Sequence, residues 1–307
     1  MIEKLSVGGV LGEAWRIYRL HFFKILLLIL LVILPVSVLN GFITDAMTND
    51  SAVKVLFDML NSGSQSTATA EEVSEAMANA APRMIPFLLV LAVLLVLADV
   101  FTIAVARIGH DEGRHGALSL NYKIGDLTVV NEHEPELVDV GTATEYFTGA
   151  IRMLPAWVLT VLAGSVFVFF GFMFMFLPGL IALALLSITV YTVAAEGQKG
   201  FKALGKTLRV IIAHPVVVLY FIATFGLTFA LANLMSLAIS GILAVAGLGE
   251  STVAAVAASA VGTTLIYIPA AFGDLVMAVV MTNRLDIINF RDRGSNPGSD
   301  DGGAEYY

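Results

Sequence analysis

Six mostly apolar runs, each long enough to cross a hydrocarbon layer, restrict what this 307-residue chain can fold into. A helical crossing takes about 20 mostly apolar residues at a rise of 1.5 Å each. The runs fall near residues 25–44, 84–106, 154–177, 179–195, 215–242 and 252–282. At that depth every backbone N–H and C=O must be satisfied within the chain, and runs without strand-like alternation predict helices. Composition agrees, with 58% apolar and only 14% charged residues, where a soluble domain carries about a quarter charged. A soluble enzyme is excluded on those grounds. The absence of cysteine excludes disulfide frameworks, thiolate metal sites and cysteine nucleophiles. A net charge of −8 speaks against a nucleic-acid partner. The expected fold class is all-α: a polytopic membrane protein, residues 1–293 forming a single six-helix membrane domain. More than twenty residues carrying Glu3, Lys4, Glu13, Arg16, Arg19 and Lys24 precede the first run. That run is therefore expected to stay as an anchor rather than be cleaved as a signal sequence.

Basic residues set the orientation. With the N-terminus in the cytoplasm, Lys54 and Arg83 fall outside and the other fifteen of the 17 Lys and Arg fall inside, a strong positive-inside asymmetry. Both termini are expected to be cytoplasmic, in a bacterial cytoplasmic membrane.

The connecting segments differ in character. Residues 45–83 form an external polar segment, with helical composition in Ala52–Leu60 and Glu71–Ala81. Leu177-Pro178-Gly179 leaves room only for a tight hairpin between spans three and four. The cytoplasmic segment 107–149 contains alternating stretches on either side of Gly125-Asp126, which predict a small β-hairpin. The tail 294–307, rich in Gly, Ser, Asp and Asn, is expected to be disordered.

An internal repeat is legible. Leu11-Gly12-Glu13-Ala14-Trp15-Arg16-Ile17-Tyr18-Arg19-Leu20-His21 aligns with Leu204-Gly205-Lys206-Thr207-Leu208-Arg209-Val210-Ile211-Ile212-Ala213-His214, each running into a span straight after the histidine. Companion spans two and six carry Asp99 and Asp274 eight to ten residues before Arg107 and Arg284. With Tyr146–Met153 as a looser third lead-in, the architecture reads as three helical hairpins with amphipathic interfacial lead-in helices.

The pattern Leu11–Tyr18, together with Leu177-Pro178-Gly179-Leu180, Glu196-Gly197 and Ala203-Leu204, resembles the YciC-like group of bacterial inner-membrane proteins. That group is related to the membrane domain attached to some glycerophosphodiester phosphodiesterases. The resemblance implies a six-helix membrane protein and brings no activity with it; it does not extend to 45–83 or 113–144.

Two sets of residues carry candidate chemistry. Asp99 and Asp274 are carboxylates within spans, which are costly in lipid and belong against protein or water. Brought together, they could share a proton or bind a cation in a small transporter or channel; alternatively each is satisfied locally by Thr102, Thr264 or Tyr267. The lead-in segments supply Trp15, Arg16, Arg19, His21, Lys206, Arg209 and His214, which suit contact with lipid headgroups or a partner at the membrane surface. The plainer reading is an anchor that only fixes topology, with the histidines as polar helix ends. His110, Asp111, Glu112 and His115, and likewise Glu132, His133, Glu134 and Glu136, lack the spacing of a metal site and are expected to be solvated. Span six repeats small residues at Ala254, Ala258 and Gly262, and Asn233 and Tyr267 are expected to bond between helices. Catalytic signatures are missing. The expected role is therefore non-enzymatic and without cofactor, in envelope or lipid homeostasis, through membrane lipids and a protein partner or second copy.

Overall fold

The computed structural model describes residues 7–55, 70–115, 122–124, 127–129, 141–174, 176–245 and 252–295. These are almost wholly helical. Lead-in helix α1 (Val7–Leu20) is followed by α2 (Phe22–Leu28), a π-helical turn (Ile29–Ile33) and α3 (Leu34–Asn49). Then come α4 (Ala70–His115), strands β1 (Tyr122–Ile124) and β2 (Leu127–Val129), α5 (Ala143–Phe174), α6 (Phe176–Glu196), α7 (Phe201–Ala213), α8 (Val216–Val245) and α9 (Thr252–Ser295). Among the described residues six stretches are long and apolar enough to span a membrane: Phe22–Met47, Glu71–Gly113, Ala143–Phe174, Phe176–Glu196, Val216–Ile239 and Val256–Asn289. The chain is an all-α polytopic membrane protein.

Local chemistry explains the breaks. Pro35 stands at the start of α3, and its ring would clash with the carbonyl four residues back in a regular helix; the wider π turn just before it relieves that clash. His214 ends α7 with φ −138° and ψ 72°, because Pro215 excludes the helical region for the residue before it. Gly197 and Gly200, with φ of 65° and 60°, occupy the left-handed region that favours glycine. The Gly197 amide donates to the Val193 carbonyl at 2.8 Å, closing α6.

Several boundaries depart from expectation. Residues 71–81 are not a separate external helix but the first turns of α4, which continues through Pro82 and Pro86 into the span. Tyr146–Met153 likewise runs unbroken into α5. Leu177-Pro178-Gly179, expected as the hairpin between spans three and four, lies in the first turns of α6, where a proline lacking its N–H costs nothing. Helix α9 extends to Ser295, into the stretch expected to be disordered; the rest of that tail lies outside the described residues. Residues 51–55 are helical as expected, and 56–60 lie outside the description. Strands β1 and β2 pair antiparallel, Ile124 opposite Leu127, as the alternation predicts; the Gly125-Asp126 turn lies outside the described residues.

The chain divides into two compact units. The first comprises Met1–Ile25, Thr102–Thr228 and Ala270–Tyr307. Within it α5 and α6 pack antiparallel at close range: a Cβ on Gly171 would lie 2.8 Å from the Gly179 backbone, and one on Gly164 2.6 Å from Leu186. A Cβ on Gly109 of α4 would meet that of Ala278 on α9 at 2.7 Å. The second unit comprises Leu26–Phe101 and Phe229–Pro269. There Gly41 packs on Val256, Gly262 on Ile239, and Phe101 edge-on to Tyr267. Val53, Ala76 and Ala80 form a small core beside Met47 and Met84.

Candidate functional site

Polar side chains of the first unit gather on the last turns of α4, where consecutive residues point 100° apart and reach different helices. Glu112, expected in a solvated loop, is buried and accepts from His21 Nε2 at 2.9 Å and from Arg16 Nη2 at 3.4 Å. Arg16 also donates to Glu13 at 2.7 and 3.1 Å. That hydrogen bond, opposed by burial and reinforced by the Glu13 and Glu112 charges, raises the Arg16 guanidinium above its ordinary value. Asp111 accepts from the Tyr146 hydroxyl of α5, and His110 Nδ1 lies 2.8 Å from Thr282 Oγ1 of α9. One helical turn thus ties α1, α5 and α9 to α4.

His21 is only 3% exposed, and its Nδ1 has no hydrogen-bond partner among the described residues. It is therefore packed inside rather than standing at the headgroup level. His115 and residues 132–136, the other members of the metal-like sets, carry no described side chains. Among the described residues no three His, Asp or Glu side chains come together as a metal site.

A second cluster joins the end of α6, α7 and α9. Lys206 Nζ lies 2.6 Å from both carboxylate oxygens of Glu196 and donates to Asn289 Oδ1 at 2.7 Å. Asn289 Nδ2 in turn donates to Glu196 at 2.9 Å. The Thr192 and Thr207 hydroxyls, 2.7 Å apart, dock α7 on α6. His214 is half-buried, and burial followed by the nearby Arg284 charge holds its pKa below 6.5.

The seven lead-in residues therefore separate by role. Trp15, Arg19 and Arg209 are exposed, Arg16 is partly exposed but paired, His214 is half-buried, and His21 and Lys206 are turned inward. Outward along α1 stand Val7, Leu11, Trp15 and Leu20, while Val10, Ala14, Ile17 and Tyr18 pack inward. Trp15 lies edge-on to Phe272 at 5.9 Å.

Asp274 accepts from Tyr191 Oη at 2.7 Å, a partner 83 positions away that no local pattern announces. It belongs to the first unit, whereas Asp99 belongs to the second. Thr264, expected as a local partner, donates instead to Ala260 O of its own helix, and Asn233 to Phe229 O rather than across helices. Glu13, Glu112, Glu196 and Asn289 were not legible as site residues; only the Glu13–Arg16 spacing of three gave a local signal.

No family model, curated protein or solved structure matches the chain.

Proposed function

We propose that this is a non-catalytic multi-pass protein of the bacterial cytoplasmic membrane, both termini cytoplasmic, acting in envelope or lipid homeostasis through its two lead-in helices. Kinship to the YciC-like group and an internal repeat of lead-in plus span belong to the same reading. The observation that carries it is the outward face of α1, where Val7, Leu11, Trp15 and Leu20 are exposed beside Arg16 and Arg19 while the inward face is packed. A helix of that kind sits in the headgroup layer, apolar residues toward the acyl chains and cations toward the headgroups. The ion pairs of Arg16 and Lys206 hold both lead-ins to the protein and leave their outer faces for lipid or a partner.

Quenching of Trp15 fluorescence by brominated lipids tests this in the Trp157→Phe background, since the chain has two tryptophans. Bromines near the headgroup end of the chains should quench more than bromines at the bilayer centre; no quenching by either refutes the interfacial placement. Reporters fused after Ser66 should be external, and those after Asn131 or Gly294 cytoplasmic. The reverse pattern would overturn the orientation.

A further inference from the structure

The second lead-in is built differently from the first. Along α7 the exposed positions Phe201, Lys202, Gly205, Leu208, Arg209 and Ile212, with Ala213 at the end, are spaced as one stripe of a helix. Ala203, Leu204, Thr207 and Val210 are buried on the opposite side. Large apolar side chains and cations therefore share the outer stripe, and α7 contains no acidic residue. Its remaining cation, Lys206, is turned inward onto Glu196 and Asn289. Lys199 is exposed on the preceding loop, whose Gly197 and Gly200 adopt positive φ. Helix α1, by contrast, carries the acid Glu13.

We infer that the outer stripe of α7, with Lys199, docks on anionic phospholipid headgroups of the leaflet in which it lies. This rests on the reading that the lead-in helices occupy the membrane surface and adds a lipid class to it. Charge complementarity selects the occupant: Lys199 and Lys202 stand outward, on and just before a helix that carries no acid, and attract an anionic surface. Phe201, Leu208 and Ile212, exposed at 65%, 45% and 74%, require an apolar phase beside that charge. The stripe ends only a few residues before α8 starts at Val216, which keeps it within about a helical turn of the hydrocarbon boundary.

The absence of cysteine allows a direct test on the full chain. A Cβ on Gly205 would meet nothing within 4 Å, so Gly205→Cys carries a fluorophore without disturbing the fold. In vesicles of phosphatidylcholine and phosphatidylglycerol, the spin label is placed on one lipid or the other. Labelled phosphatidylglycerol should quench the more strongly. That preference should fall about fivefold for each cation removed by Lys199→Gln or Lys202→Gln, and should weaken as salt is raised. Equal quenching by the two lipids overturns the headgroup assignment while leaving the interfacial reading intact. A preference unchanged in both lysine variants overturns the assignment to these residues. Quenching by neither lipid refutes the interfacial reading of α7 itself and favours a protein partner on this stripe.

Discussion

Glu112 is the residue whose loss should loosen α1 most. Glu112→Ala removes the acceptor of His21 Nε2, and the second ring nitrogen already lacks a partner among the described residues. A 3%-exposed imidazole would then have both nitrogens unsatisfied, at a cost of about 1–3 kcal/mol. The Arg16 contact adds little: its side chain is 44% exposed, the distance to Glu112 is 3.4 Å, and Glu13 still holds it, so its share is discounted to below about 1 kcal/mol. A total near 2 kcal/mol shifts docking of α1 by about thirtyfold. Ala14, fully buried on α1, supplies the readout in a chain without other thiols. Maleimide should label Ala14→Cys about thirtyfold faster when Glu112→Ala is added, provided docking is rapid compared with labelling. The cycle with His21→Ala should be non-additive, since removing the imidazole removes the penalty. A rise below about threefold, or strict additivity, would refute the reasoning.

The remaining predictions concern packing, pH and the buried acid. Gly171→Ala should destabilise the α5–α6 hairpin by about 1–3 kcal/mol, because the new methyl would press on the Gly179 backbone at 2.8 Å. Gly205→Ala should instead be neutral or gain up to about 1 kcal/mol; denaturant unfolding in detergent separates the two. His214, held below its ordinary 6.5 by burial and Arg284, contributes no penalty while both folded and unfolded forms are neutral. As pH falls from about 8 to about 5 the unfolded chain takes up the proton first and stability is lost. Thermal unfolding across that range should show a smaller decline in His214→Gln. Tyr191→Phe should cost about 1 kcal/mol by removing a donor to Asp274, and Asp274→Asn, which keeps an acceptor, should cost less. The opposite ranking in the same unfolding assay would contradict a structural role for this bond.

Legibility followed the range of the interaction. Six spans, the paired strands and the amphipathic nature of Val7–Leu20 and Phe201–Ala213 were readable because hydropathy periodicity is local. The Pro215 break after His214 was marked by sequence alone, since proline constrains its neighbour wherever it occurs. Helix continuity through Pro82, Pro86 and Pro155 was not, because surrounding packing decides whether a proline ends a helix or is absorbed. The candidate site was read less well. Arg16 and Lys206 were identified as interfacial cations without their carboxylates, and Glu112 as a loop residue. His21 and Glu112 lie 91 positions apart, and nothing in either neighbourhood encodes the other.

By itself the order of residues determined that this chain must bury six helices in lipid, because runs of apolar side chains leave the backbone no other way to satisfy its polar groups. It also determined where amphipathic helices precede spans one and five. Tertiary structure alone decided which cations face inward and which outward. Lys206 looks like its neighbour Lys202 on a helical wheel. Only the placement of Glu196 by another helix turns it toward the protein, since a charge in a partly buried setting settles where an opposite charge awaits it.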